Sequence, residues 1–254
     1  MIREEIIEII KKHKSGKIKF GIADIDGVLR GKYIPTSKFL EAVDSHLSFC
    51  DVLFGWDMDD ACYDNVKVTG WHTGYPDARA TIDTASFREI PWEDSVPFFL
   101  ADLSEAKTSH QFVCPRSLLK RINKECQKAG FKAIFAFEAE WFNFNGLPGS
   151  LDLSDPRNLE PITPGMFGYS DLRTSLKKEF IADLFDMLGK FDVPLDGLHT
   201  ETGPGVYEAS VTHDEIVAAA DRAILFKTGV KEIAYLHNMT ATFMAKWNAS
   251  LPGS

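Results

Sequence analysis

The chain has 254 residues, 44% of them hydrophobic and 26% charged, with a formal net charge of −9. That is room for one large domain or two modest ones and enough apolar matter for a real core. The acidic surplus argues against a nucleic-acid or anionic-membrane partner. No apolar run approaches the ~18 residues of a membrane span, and Glu4, Glu5 and Glu8 spoil any secretory signal.

In chain order, a short helix is predicted over residues 2–12, with Ile2, Ile6, Ile9 and Ile10 on one side and Gly16 beyond its end. Residues 17–33 read as a hairpin, strands 17–25 and 28–33 joined by an Asp26-Gly27 turn. A short helix over 37–43 follows, then strand-like runs at 47–54, 79–82 and 96–103. Between the first two of these runs lies a long aromatic-rich stretch without periodicity, the kind that is functional more often than passive. Beyond Asp102 the pattern turns helical. A helix over 116–129 opens at Pro115 and closes at Gly130. A second runs over 174–188, with Leu176, Phe180, Leu184 and Leu188 four apart. A third opens with a capping-box pattern at Thr212-His213-Asp214-Glu215 and runs to about Ala234. Strands are predicted at 132–144, 194–201 and 240–244. The fold class is therefore α+β, with a small β-rich domain over 1–105 and a larger α+β domain over 106–254. Cys50, Cys62, Cys114 and Cys126 form no CxxC pair and no zinc-finger spacing, and read as reduced thiols of a cytoplasmic protein.

The segment FEAEWF, residues 137–142, carries the most chemistry. On a strand, side chains repeat every second residue, so Glu138 and Glu140 share a face about 6–7 Å apart, with Phe142 and Phe144 beyond them. Ionised carboxylates in so apolar a strand are unfavourable without a cation, and the strand itself offers no Lys or Arg. Oxygen-only ligands suit hard cations such as Mg²⁺ or Mn²⁺. The simpler alternative is a half-exposed strand with solvated glutamates. In HTETGPGVYE, residues 199–208, a Gly-Pro-Gly turn separates Glu201 from Glu208, so a reversal there brings the two together; the alternative is a hairpin with charged shoulders. With Glu138 and Glu140 they make four carboxylates, a set able to hold more than one divalent ion for phosphoryl transfer. His199, His213 and His237 stand singly and read as structural or surface residues. In ATFMAK, residues 241–246, a buried strand ends at Lys246.

Taken in order, FEAEWF, HTETGPGVYE and ATFMAK resemble the motifs of the glutamine synthetase family, and IADIDGVLRGK (22–32) resembles the first hairpin of that family's N-terminal domain. The resemblance implies a small N-terminal β-grasp domain followed by a catalytic domain with a curved antiparallel sheet, incomplete at its C-terminus. It implies an ATP-dependent carboxylate–amine ligase of nitrogen metabolism. Such an enzyme phosphorylates a glutamate-like γ-carboxylate and passes the acyl phosphate to ammonia or a small amine, with two or more Mg²⁺ or Mn²⁺ ions. By motif, Glu140, Glu201 and Glu208 match the ligands of the metal nearer the amino-acid substrate, and Glu138 a ligand of the ATP-side metal. Gly253 resembles the glycine that lies against substrate glutamate. A homo-oligomeric ring is implied too, with the loop over 54–77 at its interface.

Two departures from the family pattern stand out. A metal-binding histidine, phosphate-binding arginines and a further glutamate would follow Ser254, so the chain reads as the N-terminal two-thirds of a longer enzyme, expected to be inactive alone. Ammonia-using members also carry an aspartate shortly before a Pro-Asp pair, whereas Pro76-Asp77 here follows Trp71-His72-Thr73-Gly74-Tyr75 with no carboxylate. That makes a larger amine plausible. Two other readings compete: a non-catalytic scaffold of the same family, and a dinuclear hydrolase, which would need more His or Asp ligands than His199 supplies.

Overall fold

The computed structural model describes residues 2–103, 110–151, 155 and 158–254. The chain divides into two compact units, Met1–Ala133 and Ile134–Ser254. The boundary expected at 105/106 lies outside the described residues.

In the first unit, helix α1 (Arg3–Lys12) turns Ile6 and Ile10 inward, as its apolar spacing requires, while Ile2 stays exposed. Strands β1 (Lys17–Ala23) and β2 (Leu29–Pro35) form the expected hairpin, but not through a two-residue turn. The loop spans 24–28. The carboxylate of Asp24, 1% exposed, organises it by accepting from the backbone N–H of Asp26 at 3.0 Å and of Val28 at 2.8 Å, and from Arg30 Nε at 2.8 Å. Only Gly27, at φ 70°, takes the left-handed conformation that the predicted turn asked of both central residues.

Helix α2 (Thr36–Ala42) leads to the run predicted as strand 47–54, which splits into β3 (Leu47–Cys50) and a 3₁₀ turn, Asp51–Phe54. The split follows from buried Asp51, which accepts from Thr69 Oγ1 at 2.6 Å and pairs with His110 Nε2 at 2.9 Å, fastening the long aromatic loop. Strands β4 (Asp77–Ile90) and β5 (Val96–Asp102) complete a sheet of order β2-β1-β5-β4-β3, parallel between β1 and β5 and antiparallel elsewhere.

After a one-turn helix α3 (His110–Val113), α4 (Pro115–Lys128) begins with proline at its first turn, as expected. It belongs to the first unit, and its charges show why. Arg116 reaches Asp102 at 2.9 Å and Asp83 at 2.8 Å, and Lys120 reaches the same two at 2.5 Å and 2.9 Å. Burial alone would raise Asp83, but Lys120 and Arg116 outweigh it and hold its carboxyl below the ordinary value.

The second unit is built on strands β6 (Ile134–Asn145), β7 (Leu195–Thr200), β8 (Val206–Glu215) and β9 (Met239–Thr242). They form an antiparallel sheet of order β7-β8-β6-β9. Helix α7 (Ile216–Leu236) packs against β6, β8 and β9. Trp141, fully buried, meets Tyr207 at 6.0 Å and Phe226 at 5.5 Å between ring centres. Burial pushes the Tyr207 phenol up to about 12.

Two helix predictions are corrected. The helix expected over 174–188 is two helices, α5 (Asp171–Ser175) and α6 (Lys178–Lys190). Lys177 leaves helical geometry at φ −119°, ψ 31°, and Leu176, which the periodicity placed in the apolar stripe, is 69% exposed. The capping-box residues Thr212 to Glu215 instead end strand β8, where Asp214 and Glu215 pair with Phe135 and Ile134. Strand pairing overrides the local signal, and α7 starts one turn later with the Glu215 carboxylate accepting from Val217 N–H at 3.2 Å.

Because Asp83 is held down, its stabilisation is present above its unfolded value and is lost as pH falls through the folded one. Replacing Arg116 with Ala leaves buried Asp102 with Lys120 alone, and should cost about 3 kcal/mol in urea unfolding at pH 7. At pH 3 the cost should shrink as the Asp83 part of the ion pairing weakens; an equal loss at both pH values would show that Arg116 contributes packing only.

Candidate metal centre

Register brings the candidate residues together. Glu140 stands directly opposite Glu208 across β6 and β8, and His199 stands opposite Glu208 across β8 and β7, so the three share one row and one face. The adjacent row, Trp141–Tyr207–Thr200, points the other way, and all three of its members are buried. Irregularities in pairing at Leu195/Gly197 and Phe135/Phe137 set this alignment. The reversal between Glu201 and Glu208 is built as the sequence implied: Glu201 N–H donates to Val206 O at 3.1 Å. Gly205, at φ 72°, packs so tightly that a Cβ would come within 2.5 Å of Asn143 O. Its own carbonyl accepts from Asn143 N–H at 2.8 Å, and its N–H donates to Thr163 O at 2.9 Å. No other residue fits there, and the turn is thereby tied to β6.

His199 lies between the glutamates, Nδ1 3.6 Å from Glu201 Oε1 and Nε2 3.8 Å from Glu208 Oε2. One ligand atom from each of His199, Glu201 and Glu208 falls within 4.8 Å of the others. Each of the three side chains is roughly a quarter exposed, 26% for His199 and 22% for each glutamate, and so open to a ligand. The imidazole is stacked under Tyr169, ring centres 4.1 Å apart at 18°. Tyr169, in the left-handed region at φ 53°, is anchored by its N–H to Thr200 O at 2.7 Å, while Ser170 N–H donates to Thr200 Oγ1 at 2.9 Å. Glu201 is oriented from behind by Thr202 N–H, 2.8 Å from its Oε2.

Electrostatics mark the same place. Glu140 is raised above the ordinary carboxylate value, first by burial, then by repulsion from Glu208 and Glu201, with His199 opposing. Glu138 is on the same face one repeat along the strand, exposed, and accepts from Ser210 Oγ at 3.5 Å. Of the four glutamates named from sequence, the structure gathers Glu201 and Glu208, sets Glu140 next to them opposite Glu208, and leaves Glu138 exposed. His199, read from sequence as structural or surface, belongs to the cluster; its place two residues before Glu201 on a strand was the available signal. Gly253 lies against the chain itself: Ser254 N–H donates to Ala245 O at 2.8 Å, and a Cβ on Gly253 would approach that oxygen to 2.6 Å. Two carboxylates and an imidazole around one point, with the Glu140 carboxyl close enough to be repelled by both carboxylates, fit a divalent cation.

A raised carboxyl binds its proton more tightly folded than unfolded, so Glu140 favours the folded state below its unfolded value and loses that as pH rises through the folded one. Like charges directly opposite on neighbouring strands cost about 0.2–1 kcal/mol. Glu140→Gln should therefore raise the melting temperature of the metal-free protein at pH 7.5 by about 1–3 °C, with the gain gone at pH 4. A lowered melting temperature at pH 7.5 would contradict this charge assignment.

Residues 112–254 match the family model described as "Glutamine synthetase, catalytic domain". Type-1 glutamine synthetase 2 of Dictyostelium discoideum is 50% identical over 98% of this chain and 47% of its own length. Glutamate–isopropylamine ligase of a Pseudomonas species is 33% identical over 98% of this chain and 55% of its own. Gamma-glutamylethanolamide synthetase GlnA4 of Streptomyces coelicolor is 27% identical over 96% and 53%. The chain thus spans about half the length of the curated relatives it matches. A solved GmaS–ADP complex shares the fold, with a TM-score of 0.79 at 22% identity over 98% of this chain and 53% of that one. Matched over more than half its length by that catalytic-domain model, the chain belongs to the glutamine synthetase family.

Proposed function

We propose that the protein is an ATP-dependent carboxylate–amine ligase in which Glu140, Glu201 and Glu208, with His199 beside them, hold one Mg²⁺ or Mn²⁺ ion. Glu138 contributes to a second. The observation that carries this reading is the raised Glu140 in a row of acidic groups on one sheet face. Like-charged side chains held so close are unfavourable in a metal-free protein and favourable around a cation. A bound divalent cation would supply charge neutralisation for the phosphates during transfer. The chain's own residues supply rigidity: the Thr202 N–H fixes Glu201, Ser210 steers Glu138, and Tyr169 seats His199 between the two carboxylates.

The acyl donor in this reading is glutamate-like, activated as an acyl phosphate, with the backbone at Gly253 lying against it. The mixed sheet of the first unit is read as the family's β-grasp domain, supported by its parallel β1–β5 pair. We further propose a homo-oligomeric ring, with the loop over 54–77 at its interface. For the acceptor, the window from Trp71 to Tyr75 carries aromatic rings packed edge to face at 5.2 Å and no carboxylate to hold ammonium. One of the similar proteins is named for isopropylamine as the amine joined to glutamate, and another for a glutamylethanolamide. Both facts favour a small alkylamine over ammonia. A scaffold without chemistry would have no use for the repulsion around Glu140.

The test uses the full-length protein with glutamate, ATP and Mn²⁺. Amine-dependent ADP release is expected to be faster with methylamine or isopropylamine than with ammonia. Glu208→Ala should lower it by about 100-fold or more, since even outer-shell partners of a metal cost 10- to 100-fold. Calorimetric Mn²⁺ binding should be micromolar in the native protein and lost in Glu208→Ala. Native-like turnover in that variant, or no Mn²⁺ binding at all, would remove the ligase reading; a preference for ammonia would remove only the choice of acceptor.

A further inference from the structure

We propose that the first unit carries a binding site for a small organic phosphate, lined by none of the metal-centre residues. A cavity of about 450 Å³ lies between α4 and strands β4 and β5, within the size range of small-molecule sites. Ser117, Lys120, Arg121 and Lys124 face it from the helix, and Asp83 and Asp102 from the strands. The four helix residues stand at i, i+3, i+4 and i+7, the spacing that puts them on one face.

The charges in this cavity are unevenly committed. Asp83 and Asp102 are each bound by both Arg116 and Lys120, at 2.5–2.9 Å. Among the described residues two carboxylates are thus matched by two cations, and Lys124 adds further positive charge to the same wall. Lys124 has no hydrogen bond or ion pair among the described residues. Ser117, 5% exposed, has a hydroxyl with no hydrogen-bond partner. A buried donor without an acceptor, beside ammonium groups on a concave wall, lacks an anion with several acceptor oxygens. Phosphoryl oxygens accept from several directions at once, and lysine serves such groups as a point charge. The cavity exceeds one phosphate, which leaves room for a short polyol or sugar.

The probe is glycerol 3-phosphate, with glycerol and succinate as comparators. EDTA is present, so that no divalent ion recruits phosphate to the glutamates. At about 10 mM, glycerol 3-phosphate should raise the melting temperature of the full chain by about 3 °C. Lys124→Ala, at an exposed helix position, should fold normally and lose that shift. Ser117→Ala should weaken binding several-fold by calorimetry, and Glu208→Gln should leave it unchanged. No shift, a shift kept in Lys124→Ala, or an equal shift with glycerol or succinate would each overturn the proposal. Loss of the shift in Glu208→Gln would overturn it too, by placing the phosphate at the metal centre. The outcome is independent of the ligase reading, which depends on Mn²⁺ binding and turnover.

Discussion

Everything distinctive about the second unit depends on a row of side chains that crosses three strands: Glu140, Glu208 and His199 in register, with Glu201 two residues further along. Left to themselves, acidic groups at this spacing would separate, by rotamer or by strand slippage. Slippage by one residue would drive the glutamates into the core and Trp141 and Tyr207 into water. The fully buried aromatic row on the opposite face is therefore what holds the charged row in place. Packing fixes register and register fixes proximity; burial first, and then repulsion from Glu208 and Glu201, raises Glu140.

The turn that closes β7 onto β8 adds the second constraint. At Gly205 both the positive φ and the close approach of Asn143 O rule out a side chain, and two backbone hydrogen bonds tie the turn to its surroundings. Tyr169 and Thr200 then hold the imidazole from the other side. A site fixed by backbone and ring packing needs little rearrangement when charge shifts within it, and that is the property phosphoryl transfer asks of its surroundings.

Much of this could be read in the sequence, and the failures have a common cause. Period-two alternation in FEAEWF placed Glu138 and Glu140 on one face, and the Gly-Pro-Gly turn placed Glu201 and Glu208 at one hairpin, because strand periodicity and turn chemistry are local. What escaped was set by partners distant in sequence. The pattern at Thr212 to Glu215 looked like a cap until β6 paired with it. Leu176 looked like core until Lys177 broke the helix. Asp24 and Asp51 were not singled out, yet each organises a loop because buried carboxylates gather backbone and side-chain donors from several segments. His199 was set aside as a single histidine, since only the fold shows a glutamate near each of its ring nitrogens.

The central claim is that the acidic row exists to hold a cation, and it is tested most directly by diffraction from crystals of the protein soaked in Mn²⁺, recorded at the manganese absorption edge. The account predicts an anomalous peak bounded by carboxylate oxygens of Glu140, Glu201 and Glu208. A peak elsewhere, with these three glutamates left to water or to one another, would contradict it.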